Sequence, residues 1–122
     1  METDKLFYKE CHMAGCLQNS ACEVWDELRV GTLLRLVHEP KNRYDVDAVA
    51  VCYDKLDKET GELKSFRIGY IPRSENRFIA QMLDMGWGEV FECRISALRP
   101  EKHYEEQVRL LIRILRNPRV GK

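Results

Sequence analysis

Leu36-Val37-His38-Glu39-Pro40-Lys41-Asn42-Arg43-Tyr44-Asp45-Val46-Asp47-Ala48-Val49-Ala50-Val51 reads as one strand, a turn and a second strand. Glu39 to Asp47 is turn chemistry throughout: proline fixes φ, and the short side chains of Asn42, Asp45 and Asp47 can bond back to nearby amides. Upstream, Thr32–His38 is rich in Leu and Val and reads as a buried strand. Downstream, Val49, Val51 and Tyr53 fall on one face and Ala48, Ala50 and Cys52 on the other. Both faces are apolar, which predicts a central strand.

Working outward, Asp54–Lys64 is a polar connection containing Glu59-Thr60-Gly61-Glu62, and Ser65–Ile71 is the return strand. Leu6–Gly15 and Cys22–Leu28 read as further strands, with Gly31 punctuating before Thr32. After Arg73 comes the one clear helix. Ser74 is its expected N-cap, Phe78, Ile79, Met82 and Leu83 form one apolar face, and Gly86 is the stop. Phe91, Cys93, Ile95 and Ala97 alternate with Glu92, Arg94 and Ser96 as a half-buried strand. The last element fits a strand through Val108, Leu110, Ile112 and Ile114, or a helix through Val108, Leu111, Ile112 and Leu115. Its Ile and Val content favours the strand. The predicted fold is mainly β with one or two helices, an α+β barrel of about six strands, with residues 1–122 as one domain.

Composition narrows the function. Hydrophobic residues make up 44% and charged residues 33% of the 122, which is ordinary for a folded domain. No apolar run approaches the roughly 18–20 residues that cross a bilayer, and Met1–Lys5 lacks the pattern of a signal peptide. A cytoplasmic protein with no membrane partner is expected. The five cysteines include no C-x-x-C pair, and Cys11-His12 with Cys16 lacks a fourth ligand, so reduced structural thiols are expected and no metal or other cofactor. Formal net charge is zero, yet residues 1–63 carry 8 Lys and Arg against 13 Asp and Glu, and residues 64–122 carry 12 against 7. A basic second half gathered on one face would attract phosphates; a mixed solvated surface would equally account for the numbers.

Two segments together resemble the HIRAN domain family. The first is the Leu36–Val51 stretch, similar to the family's strand, acidic-Pro-x-Asn-x-Tyr-Asp turn and small-apolar strand. The second, Ile68-Gly69-Tyr70-Ile71-Pro72-Arg73, resembles its Gly-aromatic-Ile-Pro-basic segment, and Met13-Ala14-Gly15 looks like its opening strand. The resemblance is clearest over residues 13–86 and points to a free-standing, bacterial-type member. It implies an OB-like barrel that binds single-stranded DNA, at 3′ ends in some relatives, in DNA repair or replication-linked processes, and that is not itself an enzyme. No G-x-x-x-x-G-K-[ST] phosphate loop is present, so a separate helicase, translocase or nuclease would be the working partner.

The resemblance carries over to Tyr44 and Asp45: the ring offers a face for a base, and the carboxylate can accept a hydrogen bond from a terminal hydroxyl while repelling a phosphate. Asn42 belongs to the same turn. Tyr70 and Arg73 form a second pair before the helix, and Arg77, Arg67 and Lys64 extend the positive charge. The alternative is that Tyr44 packs on the barrel while Asn42, Asp45 and Asp47 only satisfy the turn. Where the family carries a basic-aromatic pair after its first-strand glycine, this chain has Cys16-Leu17-Gln18-Asn19, leaving Trp25 or Phe91 to supply a ring.

Two other classes compete. A protein-interaction barrel with no nucleic-acid ligand would use the acidic loop of Asp54, Asp57, Glu59 and Glu62. A metal-dependent phosphoester enzyme would start from Asn42, Asp45 and Asp47, but a calcium loop needs glycine sixth and glutamate twelfth, where Asp47 and Tyr53 stand.

Overall fold

The computed structural model describes residues 4–15, 21–103 and 106–120, except the side chains of residues 21 and 22. Six strands form one sheet: β1 (Lys5–His12), β2 (Leu33–His38), β3 (Val49–Leu56), β4 (Leu63–Tyr70), β5 (Phe91–Leu98) and β6 (Val108–Leu115). Their order is β1-β6-β5-β2-β3-β4, and every neighbouring pair is antiparallel. Among the described residues two α-helices accompany them, α1 (Ala21–Val24) and α2 (Arg77–Asp84). β3 is interior to the sheet and buries both faces from Val49 to Cys52, as its two apolar faces predict. The ambiguous last element is a strand, paired on one side with β1 and on the other with β5.

The expected barrel is not formed. The sheet stays open, with β1 and β4 as its two edges. The chain just past β1 meets the end of β4 at a single bridge, Ala14–Tyr70, where each residue's amide donates to the other's carbonyl at 2.8 Å. A ladder cannot run on from there. Gly15 turns the chain at φ 70°, and Pro72, two residues past Tyr70, has no N–H to donate.

Two local expectations also fail. The Cys22–Leu28 segment is no strand: α1 continues into a 3-10 turn at Trp25–Glu27. Val24 and Leu28 lie four residues apart and are both buried, so helical spacing serves the core here. Ser74 is not the N-cap of α2. A 3-10 turn occupies Arg73–Glu75, the helix starts at Arg77, and Asn76 stands at the cap. The predicted stop at Gly86 is present: its φ is 89°, its amide donates to Leu83 O, and the Trp87 amide donates to Met82 O, a Schellman motif. Ile79 and Ala80 of α2 join the core formed by Met13, Leu34, Val51, Ile68, Ile95 and Ile112.

Met13 has no exposed surface and lies against Gly69 in β4. A Cβ at Gly69 would stand 2.5 Å from Met13 Cγ and 2.7 Å from its Sδ. The glycine is therefore required by close approach, in the way a core at crystal-like density excludes even one added methyl. Gly69→Ala is expected to lower stability by about 1–3 kcal/mol, the usual cost of overpacking. Met13→Ala in the Gly69→Ala background should recover part of that loss in a urea-melt double-mutant cycle; simple additivity would refute the contact as the cause.

Candidate nucleic-acid interface

The loop from Glu39 to Ala48 connects β2 to β3 and is closed by its own backbone. The Glu39 amide donates to Ala48 O (2.8 Å), the Asn42 amide to Glu39 O (3.0 Å), and the Ala48 amide to Asp45 O (3.1 Å). Asn42 Oδ1 accepts the amides of Tyr44 (2.9 Å) and Asp45 (3.2 Å), an Asx arrangement that shapes the bend. The turn therefore occupies the Asn42 oxygen. Tyr44 does not pack against the sheet: it is 78% exposed, with the Arg43 guanidinium 5.7 Å from its ring centroid.

Glu39 is the centre of the groove's polar network. Its Oε1 accepts from Tyr70 Oη at 2.8 Å and from Asn42 Nδ2 at 3.1 Å, and its Oε2 accepts from Arg67 at 3.3 Å. Partial burial works to raise the carboxyl pKa, but the hydrogen bonds from Tyr70, Asn42 and Arg67 outweigh it and hold the group below its ordinary value. The same bond acts oppositely on its partner: burial and the adjacent carboxylate push the Tyr70 phenol up to about 12. The Arg67 guanidinium lies 5.5 Å from the Tyr70 ring centroid, so each of the two tyrosines has an arginine beside it.

Asp45 accepts the Asp47 amide on Oδ1 at 2.9 Å and Asn76 Nδ2 on its other oxygen at 2.8 Å. Arg73 Nε is 3.9 Å away on a side chain 80% exposed. Burial opposes ionisation of Asp45, yet these donors and the Arg73 charge win and keep it below the usual carboxylate range. An ionised carboxylate is acceptor-only, and each of its oxygens retains a further lone pair.

Asn42, Tyr44, Asp45, Arg67, Tyr70 and Arg73 line one groove of about 540 Å³, together with Ala14, Gly15 and Asn76. Arg77 lines an adjoining cleft with Arg73 and Ser74, reached past Asp45. The sequence reading missed Glu39 as a partner for three of these side chains, and it missed Arg43 and Asn76. Glu39 and Arg43 stood inside the quoted turn; for Asn76, 31 residues from Asp45 in the chain, no local signal exists. Neither Trp25 nor Phe91 supplies the extra ring, since both pack against the core and neither lines the groove. The Cys16–Asn19 segment lies outside the described residues. Among the described residues, no group of three His, Cys, Asp or Glu could hold a metal ion, and no helix is long and apolar enough to cross a membrane.

The model of the HIRAN domain matches residues 7–114. No curated protein matches the chain. Among solved structures, a crystal structure of a protein from Lactobacillus plantarum, solved by a structural genomics consortium, is similar in fold. Its TM-score is 0.70 at 21% identity, over 93% of this chain and 97% of that one.

The Glu39 network gives a pH signature. Its pKa is lower in the folded protein, so its contribution to stability is present above the ordinary value of 4.5 and is lost as pH falls through the folded value. Glu39→Gln is expected to cost about 1 kcal/mol near neutral pH, a modest figure because the site is partly solvated. The gap from wild type should narrow below about pH 4 in paired denaturant melts. A gap that is constant with pH would rule out the charged network as its source.

Proposed function

The chain belongs to the HIRAN domain family, and on that premise we propose that it is a module for single-stranded nucleic acid, reading the hydroxyl end of a DNA strand in the Tyr44–Tyr70 groove. The family is one of non-catalytic binding modules. The observation that carries the reading is the placement of an exposed Tyr44 beside an ionised Asp45 in one groove with Arg67 and Arg73. A base stacks on the Tyr44 ring and the Asp45 carboxylate accepts from the terminal hydroxyl. Arg73 meets a backbone phosphate, with Arg77 in reach of the strand as it leaves past Asp45. A phosphate in place of that hydroxyl brings two negative groups together, so the groove selects a free end. In the cell such a module works on ends made available by a separate helicase, translocase or nuclease.

Short labelled strands with a 3′ hydroxyl or a 3′ phosphate, compared by fluorescence anisotropy, test this. The hydroxyl strand is expected to bind more tightly, and Tyr44→Ala should weaken it by about 5- to 150-fold, the range of one lost base stack. With two phosphates engaged, affinity should fall about sevenfold between 50 and 200 mM salt. Equal binding of the two strands would leave a general single-strand binder. Absence of binding at low salt would refute the nucleic-acid reading.

A further inference from the structure

We infer that Asn76 determines which strand end the groove accepts, as a positioning residue that holds Asp45 without neutralising it; this rests on the end-recognition reading above. Asn76 is 2% exposed and stands between the 3-10 turn at Arg73–Glu75 and α2. Its carbonyl accepts the Ala80 amide at 2.8 Å, which fixes its backbone as the first rung of the helix. An asparagine at this position ordinarily bonds its side chain to the next helical amides. Here it makes no side-chain cap, and its Nδ2 instead donates across the groove wall to Asp45 Oδ2 at 2.8 Å. The helix start goes without its usual side-chain acceptor, and the loop gains a clamp.

The chemistry of the clamp matters. With the Asp47 amide on the other oxygen, both ends of the carboxylate are held and its rotation is stopped. An amide is a neutral donor, so the negative charge stays on Asp45. A lysine or arginine in Asn76's place would cancel the charge that distinguishes a hydroxyl from a phosphate. Around Asp45 stand Arg73 on the 3-10 turn, Arg77 on α2, His38 on β2, and Arg43 and Asp47 in the loop. The His38 ring donates to Val46 O, and Arg73 is largely solvated at 3.9 Å, so neither replaces the amide.

Asn76→Asp keeps the shape and reverses the hydrogen-bonding role; Asn76→Ser removes the reach. Binding of strands ending in a 3′ hydroxyl or a 3′ phosphate is measured from pH 5.5 to 8.5, with a thermal melt for each variant. Wild type should hold a hydroxyl preference of about ten- to a hundredfold, nearly constant with pH. In Asn76→Asp the two carboxylates repel at pH 8.5, Asp45 loses its fixed donor, and the affinity for the hydroxyl strand collapses. It returns as pH falls and the pair takes up one proton, whose O–H restores the bond to Asp45. Asn76→Ser should lose the preference at every pH while remaining folded. A folded Asn76→Asp variant with the wild-type affinity for the hydroxyl strand at pH 8.5 would overturn the inference. So would an equal loss for both strands with no recovery at low pH, the mark of a purely structural role. A wild-type protein that does not distinguish the strands would instead refute the end-recognition reading, and this inference with it.

Discussion

Met13 pressing on Gly69 is the contact that seats the chain leaving β1 on the Ile68–Arg73 segment. It buries a large side chain completely against a position where no Cβ fits, at the place where the chain leaving β1 crosses the end of β4. That crossing sets Ala14 and Gly15 beside Tyr70, which gives the groove one of its walls. The other wall is the Asn42–Asp45 loop between β2 and β3, whose bend is held by hydrogen bonds from the Asn42, Tyr44 and Asp45 amides to acceptors within it. The site is thus assembled from three stretches of chain, two joined by the β3–β4 ladder and the third held on β4 by the packing of Met13.

The polar side of the groove follows a consistent logic. Each acid has its neighbours' donors and remains ionised: Glu39 through Tyr70, Asn42 and Arg67, and Asp45 through Asn76 and the Asp47 amide. The tyrosines divide the work. Tyr70 is anchored by its hydroxyl, while Tyr44 presents its ring to solvent with no anchor but the turn beneath it. A rigid base with one free aromatic face suits recognition of a flat ligand at low entropic cost.

Much of this was legible in the sequence. The strand-turn-strand at Leu36–Val51 and the Ile68–Arg73 segment gave the interior strand, the loop and five of the groove's candidate side chains, because turn chemistry and alternating apolarity are local properties. What was not legible is longer in range. Val24 and Leu28 satisfy both a two-residue and a four-residue period, so only the exposure of Asp26 between them and the backbone itself reveal a helical segment in place of a strand. Closure of a sheet depends on whether its outer strands find a ladder, and a left-handed glycine with a nearby proline prevents one here. Nothing local in the sequence singles out Asn76. Its role depends on a carboxylate 31 residues away.

An open sheet has two borders that a barrel would not have, and unpaired borders invite one chain to add to another. This molecule blunts both. Along β1 the register slips between Phe7 and Lys9, so the strand bends where a neighbour would need it straight, and Lys5 and Lys9 flank the exposed Leu6 and Phe7. Along β4, Lys64 and Arg67 bring charge to the border, which ends at the Ala14 bridge and at Pro72. Charge and a bulge at an exposed border oppose the addition of a strand from another chain, so the open sheet carries its own guard against edge-to-edge pairing.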